Sequence, residues 1–222
     1  MIQKATFQFL QDLAQHNDRD WFHAHRSDYE AARQNVLETG QRLLEEINKF
    51  DAIGFYDLRK SMFRIARDTR FAADKSPYKT NFGLLFNGEG TTRSNLSGYY
   101  MNIEPGYCFL SCGLYMPMPD VLKAVRMAID DEFERFKKIL DNKEFKRAFG
   151  DLCRDSDALT RIPKGFDTDS PAADYLKRKH FYVMAALPDK NLSADSFVEE
   201  AAGYYRLMKP LNDFLNDAII NH

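Results

Sequence analysis

Between Arg64 and Lys79 the chain reads RIARDTRFAADKSPYK: three arginines, two lysines, two aspartates and a Pro-Tyr pair in sixteen residues. Arginine presents a planar fork of N–H donors that matches a carboxylate or phosphate bidentately, which lysine cannot copy. Three guanidinium groups within seven residues repel one another unless an anion sits among them. On extended backbone Arg64 and Ala66 face one way and Arg67 the other, while Arg70 rejoins either side through a loop. Asp68 is placed to orient a neighbouring guanidinium, and Asp74 to do the same for Lys75 or Arg70. Pro77 fixes the backbone just before Tyr78 and Lys79, and Tyr78 adds a phenol that can donate or accept. Arg64, Arg67, Asp68, Arg70, Asp74, Lys75, Tyr78 and Lys79 therefore form a candidate site for a small phosphate- or carboxylate-bearing ligand. Lys179, in the basic tract Lys177-Arg178-Lys179-His180, is an outlying candidate member. The competing account of that tract is a helix C-terminus whose dipole favours cations.

Three readings of the cluster compete. It binds a small anion; it belongs to an enzyme, a hydrolase or transferase, acting on such a compound; or its arginines are internal salt bridges, which are common and stabilise little when exposed. A concave spot shared by at least two of Arg64, Arg67, Arg70 and Lys79 favours the first two. A closed, fully paired cluster favours the third. The sequence contains no G-x-S-x-G, H-E-x-x-H, C-x-x-C, P-loop or G-x-G-x-x-G pattern, so no catalytic residue, cofactor or metal is assigned.

The whole chain bounds the partners. Its formal net charge is -2 and its pI about 6.2. Residues 59–79 nevertheless carry seven cations against two anions. A local positive field on an acidic body attracts small anions, and a nucleic-acid role ranks below the other readings. The sequence offers no membrane-length apolar run and no signal-peptide core at its start, which points to a cytoplasmic protein. Cys108, Cys112 and Cys153 are odd in number. The first two sit four apart in one apparent strand, roughly 13 Å, too far for a disulfide, so reduced thiols without metal are expected.

The elements that position these residues follow from periodicity. Phe7, Leu10, Leu13 and Ala14 mark a short helix with Thr6 as its cap. Asn17 or Asp18 caps the next, and Ser27 with Glu30 resembles a capping box opening a long helix through Tyr29, Ala32, Val36, Leu43 and Ile47, with Gly40 inside it. Strands are expected near 62–67, 81–86, 99–103, 107–115 and 181–187, with Pro105-Gly106 as a type II turn between the third and fourth. Helices are expected over 120–140, 143–152, from Ser170-Pro171, and from Ser196 with an interruption at Pro210. The order predicts a single α+β domain over 1–222, one largely antiparallel sheet of about five strands packed with N-terminal and C-terminal helices. Trp21 is expected to pack beneath that sheet. His23 and His25 do not share a helix face, so they read as solvated rather than as a zinc pair.

The pattern R-D-x-R-F-x-x-D-K-x-P-Y-K, here Arg67-Asp68, Arg70-Phe71, Asp74-Lys75 and Pro77-Tyr78-Lys79, resembles a family of conserved hypothetical proteins, the domain of unknown function two-four-six-one. The likeness runs through NDRDWF at 17–22, Gly98-Tyr99-Tyr100, Gly113-Leu114-Tyr115, Pro163-Lys164-Gly165-Phe166 and Lys179-His180-Phe181. The resemblance implies a single α+β domain and transfers no activity, cofactor or catalytic residue.

Overall fold

The computed structural model describes residues 1–221. Three helices, α1 (Lys4–Gln15), α2 (Arg19–Ala24) and α3 (Arg26–Asn48), precede β1 (Phe82–Phe86), β2 (Gly98–Ile103) and β3 (Cys108–Leu114). Then come α4 (Pro119–Asp131), α5 (Phe133–Leu140), α6 (Lys143–Phe149), α7 (Ala173–Leu176), β4 (Phe181–Leu187), α8 (Asp189–Leu192) and α9 (Phe197–Asn221). The strands form one sheet in chain order β1-β2-β3-β4, antiparallel throughout, an α+β arrangement. The β2–β3 turn closes with the Tyr107 N–H donating to Glu104 O at 2.9 Å, and Gly106 takes φ 76°, the positive value that a type II turn needs.

Four strands form where five were expected, because 62–67 changes partner midway. The Phe63 N–H donates to Gly83 O and the Leu85 N–H to Ser61 O, both at 2.9 Å, so the segment begins as a neighbour of β1. It then turns to its own returning chain: the Lys79 N–H donates to Ile65 O at 2.8 Å and the Arg67 N–H to Pro77 O at 2.9 Å. Pro77 has no N–H with which to answer, so this second ladder stops after one rung.

The sheet is packed on one face. Leu84, Phe86, Tyr99, Met101, Leu110, Cys112, Phe181 and Val183 are buried, with α9 against β2 and β3 and α3 against β1 and α9. Polar ties cross this interface. The buried Tyr205 hydroxyl donates to Tyr100 O at 2.9 Å, and the Tyr99 hydroxyl donates to Asp51 Oδ2 at 2.6 Å. Lys209 lies 3.7 Å from Asp51 and 2.6 Å from Asp213, joining that contact to α9. Burial, with Cys112 and then Asp51 nearby, pushes the Tyr99 phenol far above its usual range, so it stays a donor.

Several local expectations give way to packing. Pro210 lies inside an unbroken α9, although a proline in a helix interior costs ~3 kcal/mol. The buried row Met208, Leu211, Leu215 holds the helix on the sheet across that lost bond. The helix expected over 120–140 breaks at Glu132, whose φ -119°, ψ 37° is not helical. Thr6 is no cap: it is buried within α1 and donates to Asn35 Oδ1 at 2.8 Å. Ser27 does not cap α3 either, which starts at Arg26 with the Arg26–Glu30 pair on its first turns.

Gly40 lies within α3 because α3 runs close to β1. A Cβ there would stand 2.3 Å from Leu84 Cδ2, and Leu84 is fully buried. Gly40→Ala gains about 1 kcal/mol of helix propensity but forces Leu84 off its packing, typically at 1–3 kcal/mol. The net expected result is a loss of about 1 kcal/mol in urea unfolding. A stabilised variant would show that α3 can move off the sheet.

Candidate functional site

The 64–79 segment is held to the body by NDRDWF. Asn17 Nδ2 donates to Tyr78 O at 3.0 Å, and the Tyr78 N–H donates to Asn17 Oδ1 at 3.1 Å. This two-way bond copies a strand rung with a side-chain amide. Asp18 caps α2 by accepting from the Trp21 N–H at 2.8 Å, which frees Asn17 for this work. The Tyr78 ring stacks on buried Phe22 at 4.0 Å and 16°. Trp21 does not pack beneath the sheet. It is partly exposed and stacks on His25 at 4.0 Å, whose Nδ1 lies 2.8 Å from Trp21 O, so His25 is less free than expected while His23 is exposed.

The candidate residues separate into three groups. Arg70 and Asp68 pair with each other at 2.7 Å on an exposed tip beside Phe71. The Arg70 side chain holds the Asp68 carboxyl below its usual range, and the bond closes that pair on itself. Lys75 donates to Thr69 O at 3.0 Å and edges a shallow hollow next to Trp21. Arg67 is half-buried and pairs with Asp74, which also accepts from the Ser76 N–H and hydroxyl. Those Ser76 donors and then Arg67 hold the Asp74 carboxyl well below the usual range.

Lys79 differs from all of these. It is partly buried and, among the described residues, has no carboxylate within ion-pairing distance. Its Nζ sits 5.5 Å from the Phe63 ring centroid. Burial and then the nearby Arg64 push its pKa down. Lys79 and Arg67 line one recess of about 280 Å³, with Asp74, Ser76, Thr80 and Asn81. The recess thus holds a neutralised Arg67–Asp74 pair and one free positive charge. Lys179 is not part of it, since it lies just before β4, at the opposite edge of the sheet from β1.

Lys79 and Asn81 also border a second, larger cavity of about 720 Å³ on the face of the sheet away from α3 and α9. Its floor carries Tyr100, Phe109, Tyr182 and Met184, with Phe63, Tyr107 and Tyr115 around the rim. Phe63 meets Tyr100 at 5.8 Å, Tyr100 meets Phe109 at 5.8 Å, and Phe109 meets Tyr107 at 5.3 Å, an unbroken ladder of rings. Lys79 is the one charged residue among those lining it.

The far wall of this trough rests on Asp155 and His180. The Met116 N–H donates to His180 Nδ1 at 3.0 Å, which places the ring proton on Nε2, 3.8 Å from Asp155 Oδ1. Asp155 also accepts from the backbone N–H groups of Lys179 and His180. Burial works against its charge, yet these donors win and its pKa is lowered. His180 stacks on Tyr115 at 4.9 Å, and Met116 is held at φ 50°.

The family model of conserved hypothetical proteins matches residues 5–214, nearly the whole chain. The chain belongs to the family DUF2461. Comparison with curated proteins and with solved structures gives no match. The matched span of DUF2461 takes in both the recess and the trough. Among the described residues no three His, Cys, Asp or Glu side chains gather as a metal site, and no helix is long and apolar enough to cross a membrane. Cys108, Cys112 and Cys153 are unpaired, and burial pushes the Cys108 thiol up to about 12.

Sequence reasoning missed the trough. The signal was present in the alternation: Gly98, Tyr100 and Asn102 share one face of β2, and Phe109, Ser111 and Gly113 share one face of β3. It also missed Asp155, whose partners lie 24 and 25 residues away, beyond any local pattern.

Two measurements check this construction. Asn17→Ala leaves the Tyr78 backbone groups without partners and is expected to cost about 1–3 kcal/mol in chemical denaturation. An unchanged midpoint would mean that Asn17 does not hold the segment. Met116→Gly relieves a positive φ that costs other residues about 1 kcal/mol or more, so it is expected to raise the melting temperature. A fall would show that the Met116 side chain contributes more than its backbone costs.

Proposed function

We propose that this protein binds a small phosphate- or carboxylate-bearing ligand through Lys79, at the junction of the recess and the trough. The observation that carries this reading is the uncompensated Lys79 charge, partly buried and reachable from both cavities, while Arg67 and Arg70 already have carboxylate partners. A desolvated cation without a partner is unfavourable, and an incoming anion removes that penalty. Arg64, exposed and close enough to depress Lys79, adds to the attraction. Asn81 supplies an amide at the same junction, with its Nδ2 donating to Asn102 Oδ1 at 2.6 Å.

Binding is favoured over catalysis by where the basic groups lie. Asp74 is locked by Arg67 and Ser76, and His180 has one ring nitrogen committed to Met116 and the other turned to Asp155. Neither stands as a free general base facing Lys79.

The test is ligand-linked stability. Phosphate or citrate at 100 times its Kd is expected to stabilise the native protein by about 2.7 kcal/mol, read as a raised melting temperature, with sodium chloride at matched ionic strength as control. Lys79→Met is expected to lose this response and Arg70→Met to keep it. Equal responses in native protein and Lys79→Met would remove Lys79 from the site. The sign with pH also follows: binding needs charged Lys79, so it is expected to weaken on the alkaline side before an ordinary lysine would deprotonate.

A further inference from the structure

We propose that the trough on the open face of the sheet binds a planar aromatic monocarboxylate, with the carboxylate at Lys79 and the ring system along the Phe63–Tyr100–Phe109 ladder. This rests on the preceding reading of Lys79 as an anion site and names the body of the ligand. At about 720 Å³ the trough falls within the range of small-molecule sites.

Charge decides the head group. With Lys79 as the one charged residue lining an otherwise neutral cavity, a single negative charge is matched. A second would be desolvated without a partner. The lining decides the body. Six of the residues around the trough are Phe or Tyr, and their ring-to-ring spacings of 5.3 to 5.8 Å suit stacked and edge-on contacts with another flat ring. Met116, Met118 and Met184 add polarisable sulfur that adapts to ring edges. At one end of the β2–β3 ladder Gly98 and Gly113, both lining the trough, stand directly opposite each other. Both are glycine for backbone reasons. A Cβ at Gly98 would lie 2.5 Å from Phe86 O, and one at Gly113 would lie 2.1 Å from Phe181 O. The result is a strip without side chains, bounded by Tyr100 and Tyr182, on which a plane can rest. An alkyl chain fits a narrow aliphatic tunnel better than this wide, hydroxyl-edged floor.

The experiment is calorimetric titration of the full-length protein with 2-naphthoate, cyclohexanecarboxylate, acetate and 2-naphthalenemethanol. Alongside it, phosphate-induced melting shifts are measured on the same samples. 2-Naphthoate is expected to bind about tenfold or more tighter than the other three. Tyr107→Ala, at an exposed rim position away from Lys79, is expected to weaken 2-naphthoate several-fold and leave the phosphate shift unchanged. Lys79→Met is expected to weaken both. 2-Naphthoate binding no tighter than acetate, with the phosphate shift intact, overturns the trough as a ligand site and leaves the anion site standing. 2-Naphthoate bound equally well by Lys79→Met overturns the placement of its carboxylate. Displacement of 2-naphthoate by lower concentrations of oligothymidylate would assign the face to single-stranded nucleic acid. A dimer in sedimentation that Tyr115→Arg dissociates, together with no 2-naphthoate binding, would assign it to a second copy of the chain. Either of these overturns the proposal.

Discussion

One-sided packing of a four-stranded antiparallel sheet governs the rest of this molecule. The helices α3 and α9 cover a single face, so every strand presents alternate residues to a dry core and to an open surface. The covered face is built from Leu, Met, Val, Phe and Cys, with the Tyr99 and Tyr205 hydroxyls anchored to Asp51 and to the Tyr100 carbonyl. The open face must not form a continuous aliphatic patch, which would associate, and must still support the strands through cross-strand side-chain pairs. Aromatic rings with polar rims and bare glycines meet both demands. A concave, ring-lined surface is the consequence.

The positive stretch next to this face is less charged in effect than in composition. Arg67 and Asp74, and Arg70 and Asp68, cancel in pairs that form within seven residues or fewer. Exposed pairs of this kind stabilise little, typically 0–1 kcal/mol, and chiefly shape the loop. What survives is the charge that no local aspartate reaches. Lys79 is carried away from the tip by the Pro77–Tyr78 backbone, which Asn17 clamps and Phe22 stacks under. The aspartates leave Arg64, Lys75 and Lys79 without a carboxylate partner among the described residues, and of these Lys79 is the one that borders both cavities. The clamp decides where it points.

Much of the scaffold was legible in the residues, and the site only in part. Short apolar, aromatic-rich runs at 81–86, 99–103, 107–115 and 181–187, set off by turn residues, marked all four strands, because that signal is local. The segment 62–67 alternates as a strand would, yet it divides its backbone bonds between β1 and its own return, a choice set by where Pro77 falls in space. Pro210 and Thr6 show the same override from the other side, since burial against the sheet and against Asn35 outweighs helix propensity and capping preference. Within the cluster, the sequence shows which charges are present but not which are paired. Pairing depends on loop geometry at the level of one ångström. The aromatic ladder was hidden for a related reason: a tyrosine or phenylalanine in a strand reads as core until it is known that only one face is covered.

The far wall of the trough extends this logic from charge to backbone. His180 accepts from the Met116 N–H and thereby fixes Met116 at a positive φ, a conformation that a non-glycine residue does not hold unaided. Asp155 in turn accepts from the backbone at Lys179 and His180, so the carboxylate sets the histidine and the histidine sets the loop. The basic tract before β4 is therefore used through its backbone and its imidazole rather than through its lysine charges. Lys179 remains on the sheet edge opposite Lys79. The trough ends up with a wall at β4 that presents no charged side chain to it and a free cation toward β1. In the binding mode proposed above, that asymmetry sets one orientation for an amphipathic ligand, with its charged end on Lys79 and its rings along the Phe63–Tyr100–Phe109 ladder.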